Sequence, residues 1–239
     1  MSVIPLDGPR IAAKTQRAKY LVVFLHGYGA NGEDLIAIGQ QWRGLMPDAA
    51  FVAPNAPEPC GQVAGGRQWF RLTMRDQQER AIGVVKAAPT LDFFLDSELD
   101  RHGLNDSKLA LVGFSQGAMV ALHTGLRRRA PAGIVGYSGQ FVVAKEQKQV
   151  SEPIPRGGIP PVLLIHGSED DVIPPEAMFA SATALGAAGC PCQWHLSLGI
   201  GHGIDSEGLL HGGLFLAKCF GLRQGTPARR HDERGSHVG

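Results

Sequence analysis

Unbroken apolar runs dominate the chain. Tyr20 to Leu25, Ala50 to Ala53, Leu109 to Val112, Ile134 to Tyr137 and Val162 to Ile165 contain no charged position. Short runs of β-branched, aromatic and small apolar residues predict strands covered on both faces, the habit of parallel sheets. Trp194 to Leu198 is expected as the last strand. Between these runs the spacing changes to that of helices. Asn31 is a suitable N-cap with Glu33 and Asp34 in the first turn, and Leu35, Ile38 and Trp42 follow at helical intervals. Arg75 to Arg101 reads as a long helix that Pro89 kinks or splits. Ala118 to Leu126, the segment opened by Pro174-Pro175, and Ser206 to Phe220 are further helices. Strands alternating with helices predict an α/β fold, a mostly parallel central sheet with helices on both faces, in a single domain over residues 1–222.

Four segments fall outside this alternation. Residues 2–19 read as a lead-in with an edge hairpin around Gly8-Pro9. Residues 54–69 form a Pro- and Gly-rich loop, of a length that in compact domains usually serves function. Residues 138–160 read as a surface excursion that contributes to a substrate rim, and 223–239, with almost nothing to bury, as a disordered tail.

Composition narrows the function more than the fold. With 23 basic and 22 acidic residues the net charge is +1, so bulk attraction to nucleic acid or a membrane surface is not expected. No secretory leader pattern is visible at Met1 to Asp7, which predicts a cytoplasmic protein. The longest uncharged run, Leu109 to Leu126, is interrupted by Gly113, Ser115, Gln116, Gly117 and His123, so no stable membrane insertion is expected. Cys60, Cys190, Cys192 and Cys219 are scattered, and Cys190-Pro-Cys192 lacks the spacing of a zinc or redox pair; reduced structural thiols are expected.

The polar residues that interrupt the pattern gather where strands end. His26-Gly27-Tyr28-Gly29 follows the first long run, Gly113-Phe114-Ser115-Gln116-Gly117 follows the third, Glu169-Asp170-Asp171 comes just after the fifth, and Gly201-His202-Gly203 follows the last. In open parallel sheets ligands sit beyond these carboxyl ends. Gly-x-Ser-x-Gly between a strand and a helix is the setting of a nucleophile elbow. A serine hydroxyl needs a base within hydrogen-bond reach, and the base needs a carboxylate to fix its tautomer. Serine, then acid, then histidine is the order expected of α/β-hydrolases. Among nine histidines, His202 lies in a glycine-flanked loop after the last strand and is the candidate base; His26 and His166 read as structural. Glu169, Asp170 and Asp171 are adjacent, and periodicity does not choose among them. Amides of Gln116 and Tyr28 are the candidate oxyanion donors. The base must be neutral to act, so activity is expected to fall on acidification.

With these residues in hand, the chain resembles the phospholipase/carboxylesterase family of α/β-hydrolases, which includes the acyl-protein thioesterases. The marks are His26-Gly27-Tyr28-Gly29, Trp69-Phe70, Gly113-Phe114-Ser115-Gln116-Gly117, Gly167-x-x-Asp170-x-x-Ile173-Pro174 and Gly201-His202, from about Tyr20 to Phe220. The resemblance places the acid on Asp170, with Ile173 where the family usually has valine. Arg71 departs from the acidic residue often found after Trp-Phe. The resemblance implies a serine carboxylesterase acting on small-molecule esters through Ser115, Asp170 and His202, with no metal or organic cofactor. Activity on long acyl chains, as an acyl-protein thioesterase or lysophospholipase, is the rival within enzymes; a non-catalytic binding protein on the same fold is the rival outside them. Trp69, Phe70 and Phe141 are candidate pocket residues, and a monomer or homodimer is expected.

Overall fold

A computed structural model describes residues 5–74, 76–142 and 158–222. The sheet comprises β1 (Arg10–Ile11), β2 (Tyr20–Leu25), β3 (Ala49–Val52), β6 (Leu109–Phe114), β7 (Gly133–Tyr137), β8 (Val162–Gly167) and β9 (Cys192–Ser197), ordered β1-β3-β2-β6-β7-β8-β9. β1 is antiparallel to β3, and every other neighbour pair is parallel. The five apolar runs therefore lie side by side. Each of them sends alternate residues to opposite faces: Leu21, Val23 and Leu25 of β2 join one core, Val22 and Phe24 the other.

Helices cover both faces. α1 (Gly32–Trp42) and α5 (Ser206–Cys219) pack on one, α2 (Gln77–His102), α3 (Gln116–Gly125) and α4 (Glu176–Ala187) on the other. Asn31 caps α1 as its position suggests: its side chain accepts from the Glu33 amide, and the Asp34 carboxylate accepts from the Asn31 amide. At the far end of α1, buried Trp42 lies against Phe24 and donates its indole N–H to Leu209 O at 3.0 Å, tying α1 to α5.

Three details differ from the sequence expectation. No hairpin forms at Gly8-Pro9. That stretch runs beside Ala53–Asn55 instead, with Ala53 N–H donating to Pro9 O and Asn55 N–H to Asp7 O, and a Cβ at Gly8 would collide with the Ala53 backbone. Pro89 does not divide its helix. α2 is one element because Pro89 sits on the exposed side, where water can serve the carbonyl that loses its donor. The loop after β3 carries a two-residue antiparallel ladder, β4 (Glu58–Pro59) with β5 (Arg67–Gln68). The expected tail, residues 223–239, and the middle of the 138–160 excursion lie outside the described residues. Among the described residues no helix is long and apolar enough to cross a membrane.

Candidate active site

β6 hands the chain to α3 through a single residue, Ser115, whose φ of 53° and ψ of −115° place a non-glycine residue in the left-handed half of conformational space. Such a backbone costs about 1–3 kcal/mol and persists only where its surroundings enforce it. Here they do. Ser115 N–H donates to Tyr137 O at 2.9 Å, and Ser115 O accepts from Ala118 and Met119 at the start of α3. A Cβ on Gly113 would strike the Ala118 backbone, and one on Gly117 the carbonyls of Leu25 and His26. Both glycines of the pentapeptide are thus required by close packing of strand, turn and helix. The tight turn lifts the Ser115 side chain clear of the sheet.

The Ser115 Oγ lies 2.9 Å from His202 Nε2, and His202 Nδ1 lies 2.8 Å from Asp170 Oδ2. These three residues come from loops after β6, β9 and β8, and the sheet brings them into one hydrogen-bonded line. The His202 loop is held from several sides. Ser138 Oγ donates to Gly203 O, Glu169 N–H to Ile200 O, and Gly199 N–H to Ser168 Oγ. Three residues beyond His202, Asp205 caps α5 by accepting from the Gly208 amide, and its Oδ1 also accepts from Ser197 Oγ at 2.7 Å. A Cβ on Gly167 would collide with the Ile200 and Gly201 carbonyls, so β8 and this loop meet with no spare room.

Asp170 is fully enclosed, whereas its neighbours Glu169 and Asp171 are exposed. Burial would push its carboxyl pKa up, but amide hydrogen bonds from Ile173 and Val172 and the bond with His202 outweigh it and hold the group below the usual carboxylate range. The amide bonds to Oδ1 are 2.9 and 3.0 Å long. Asp170 is therefore a carboxylate that stays charged and fixed, facing Nδ1 of an imidazole whose Nε2 faces a hydroxyl. Such an arrangement can move the hydroxyl proton onto Nε2 while the carboxylate stabilises the resulting imidazolium.

The His26–Gly29 loop closes one side. His26 is buried; its Nδ1–H donates to Gly27 O and its Nε2 accepts from Ala56 N–H, so it is a structural histidine, and burial lowers its pKa. Gly27 abuts the elbow: a Cβ there would lie 3.4 Å from Ser115 Cβ and 3.1 Å from the Phe114 ring. Tyr28 follows directly in the chain. Gln116 opens α3, and an N–H in the first turn of a helix has no intrahelical acceptor.

The aromatic residues separate. Trp69 and Phe70 are buried and anchor the long loop: the Trp69 indole donates to His26 O, and the Phe70 ring occupies the space a Cβ on Gly83 would need. Both border a groove of about 740 Å³ between the 57–73 segment and α2, whose walls include Glu58, Arg71, Glu79 and Lys86 but neither Ser115 nor His202. Phe141 is half-buried against the core, and its amide donates to Ser181 Oγ. Arg71 is exposed, 3.9 Å from Glu58. Two contributions lie beyond the sequence reading. The Gln116 side chain clips the long loop to the elbow, accepting from Trp69 N–H and donating to Phe70 O. His166 Nε2 meets Asp170 Oδ2. Neither carries a spacing signal.

Comparison with known proteins identifies the family. The model of the phospholipase/carboxylesterase family matches residues 6–220. The chain is 30% identical over 197 residues to esterase YpfH of Escherichia coli, covering 80% of this chain and 79% of that protein. It is 31% identical over 180 residues to acyl-protein thioesterase 1 of Saccharomyces cerevisiae, covering 71% and 78% respectively. Among solved structures, the crystal structure of esterase PE8 superposes with a TM-score of 0.84 at 43% identity, covering 90% of this chain and all of that one.

Proposed function

The chain belongs to the phospholipase/carboxylesterase family, and from that footing we propose that it is a serine carboxylesterase with Ser115 as nucleophile, His202 as general base and acid, and Asp170 as the carboxylate that orients His202. The observation that carries the reading is the unbroken line Ser115 Oγ, His202 imidazole, Asp170 carboxylate, at 2.9 and 2.8 Å, on a serine held at positive φ. In this reading Oγ adds to the ester carbonyl as Nε2 takes its proton. The Tyr28 and Gln116 amides receive the oxyanion, each such donor being worth about a hundredfold or more in rate. His202 returns the proton to the departing alcohol, leaving an acyl-Ser115. Water, deprotonated by His202, then adds to the acyl carbon, and the acid leaves as Ser115 regains its proton.

The substrate is read as a small-molecule ester with an apolar acyl part. Val63, Val172 and Leu198 are exposed in loops at the strand ends that carry the triad and its flanking loop, a rim suited to hydrocarbon, and Phe141 is the aromatic candidate for the pocket. We read residues 1–222 as one domain, since seven strands share a single sheet. Four unpaired thiols favour a cytoplasmic setting, and a monomer or homodimer is the expected state.

A fluorophosphonate should label the intact protein and not Ser115→Ala, which should also lose hydrolysis of p-nitrophenyl esters. Absent labelling of the wild type, or persistent labelling of the variant, refutes the assignment. Likeness to acyl-protein thioesterase 1 favours a second reading, thioester or long-chain acyl hydrolysis. Rates across acyl-chain lengths, with matched esters and thioesters, separate the two.

A further inference from the structure

The last helix and the edge strand carry metal-ligating side chains that the proposed reaction does not use. His195 of β9 and Glu207 and His211 of α5 each offer a ligand atom, and these atoms lie within 4.8 Å of one another. Glu207 and His211 are one helical turn apart and share a face of α5; His211 Nε2 lies 3.5 Å from Glu207 Oε1. Opposite them the His195 ring stands 4.5 Å from that of His211, centroid to centroid. His195 Nε2 is shielded from solvent and makes no hydrogen bond. Buried polar atoms are nearly always paired. A histidine placed against another imidazole and a carboxylate, with one ring nitrogen buried and unpaired, is what a ligand set rather than an apolar contact would show.

We propose that His195, Glu207 and His211 bind a divalent transition-metal ion of borderline softness, with Zn²⁺ as the representative. The donor set selects the class. Two imidazoles and one carboxylate suit Zn²⁺, Ni²⁺ or Cu²⁺, whereas Ca²⁺ and Mg²⁺ take oxygen ligands almost exclusively. Three protein ligands with a fourth position left to water is a common Zn²⁺ arrangement. The geometry is within reach. Ligands about 2.0–2.1 Å from a tetrahedral Zn²⁺ stand roughly 3.3 Å apart. The Glu207–His211 pair is already near that separation, and the widest pair in the group must close by about 1.5 Å, a shift within the rotamer freedom of two exposed side chains.

The ion would join two elements that flank one loop. β9 ends at Ser197 and α5 begins at Ser206, and His202 lies between them. Metal bound there would staple the edge strand to the closing helix and restrict both ends of the His202 loop. It would act on the folded chain by mass action, raising thermal stability with metal concentration.

The test uses the full chain stripped with a chelator. Calorimetric titration with ZnCl₂ should give one ion per chain with a Kd in the micromolar range or tighter, and thermal melts should rise with Zn²⁺ but not with Mg²⁺. Outer partners of bound metals are themselves worth about 10- to 100-fold in affinity, so His211→Ala and Glu207→Gln should each weaken Zn²⁺ at least tenfold. Both side chains are exposed, so the variants should fold, which circular dichroism checks; Cys192→Ser, outside the group, should bind as the wild type does. Binding weaker than millimolar, an equal response to Mg²⁺, or undiminished binding in both ligand variants overturns the proposal. Loss of binding only in Cys192→Ser overturns it too, by moving the site to the thiols.

Discussion

His166 Nε2 lies 3.1 Å from Asp170 Oδ2, the same oxygen that meets His202 Nδ1. The nitrogen also stands 2.8 Å from Ile173 O, and because a carbonyl only accepts, Nε2 carries the proton. That buried N–H is donated to the Ile173 carbonyl with the carboxylate beside it, and Asp170 is held by the His202 imidazole on one oxygen and two amides on the other. His166 braces the 170–173 turn that presents Asp170 and is a positioning residue. A neutral hydrogen bond contributes about 0.5–1.5 kcal/mol, so His166→Gln should lower kcat severalfold and leave KM nearly unchanged. Steady-state kinetics decides; a change confined to KM would place His166 in substrate binding instead.

Besides the oxyanion role proposed for its amide, Gln116 has a structural part that its side chain performs. Replacement by alanine strands the buried Trp69 N–H and Phe70 C=O, each at about 1–3 kcal/mol. Gln116→Ala should therefore lose about 3 kcal/mol in urea unfolding, and Gln116→Glu, which sets a carboxylate oxygen against the Phe70 carbonyl, should not recover it. A loss under about 1 kcal/mol in Gln116→Ala would mean that the loop repacks without the clip.

Arg128 stands among three carboxylates, with ion-pair distances of 2.8 Å to Asp92 and 2.6 Å to both Asp96 and Asp106, and it joins α2 to the turns on either side of β6 and α3. Asp92 and Asp96 are partly exposed, which places the network between surface pairs at about 0–1 kcal/mol and buried ones at about 3–5 kcal/mol. Arg128→Ala should lower stability by about 2 kcal/mol, and 1 M salt should restore part of it by screening the three carboxylates left facing one another. A salt-independent loss would point to packing of the arginine stem.

His123, buried in α3, has its pKa lowered from 6.5 to about 4 by burial, with Arg127 adding to the effect. The unfolded chain takes up this proton first as pH falls, so over the window between those values it binds more protons than the folded chain, and stability declines with acidification. The contribution is fully present above the unfolded value and lost progressively down to the folded one, up to about 3 kcal/mol. Chemical denaturation between pH 7.5 and 4.5 should show a slope that His123→Gln flattens. An unchanged slope assigns the acid sensitivity to other groups.

What the sequence disclosed follows what each feature depends on. Central strands were legible because burial on both faces leaves unbroken apolar runs. β1 was not, since Arg10–Ile11 is too short for any period and owes its place to Val52 and Phe51 across the sheet. Ser115 and His202 stand out by spacing and by glycine neighbours. The residue patterns leave Glu169, Asp170 and Asp171 equivalent, and enclosure of the middle one separates them in agreement with the family pattern. The roles of His166 and the Gln116 side chain depend on partners far along the chain or across a loop, and no local pattern announces them. Whether Pro89 would split its helix was not legible, because that depends on which side of the helix meets water.

From the adjacent β2 and β6 the chain steps in opposite directions, to β3 on one side and through β7 and β8 to β9 on the other, while β1, which precedes β2, edges β3. The helices that follow those two adjacent strands, α1 and α3, therefore depart to opposite faces. Their connecting loops must diverge, and a crevice opens at this topological switch point. Ser115 follows one of these strands and the His26–Gly29 loop the other. Space for a substrate is thus a by-product of connectivity, present before any pocket residue is chosen.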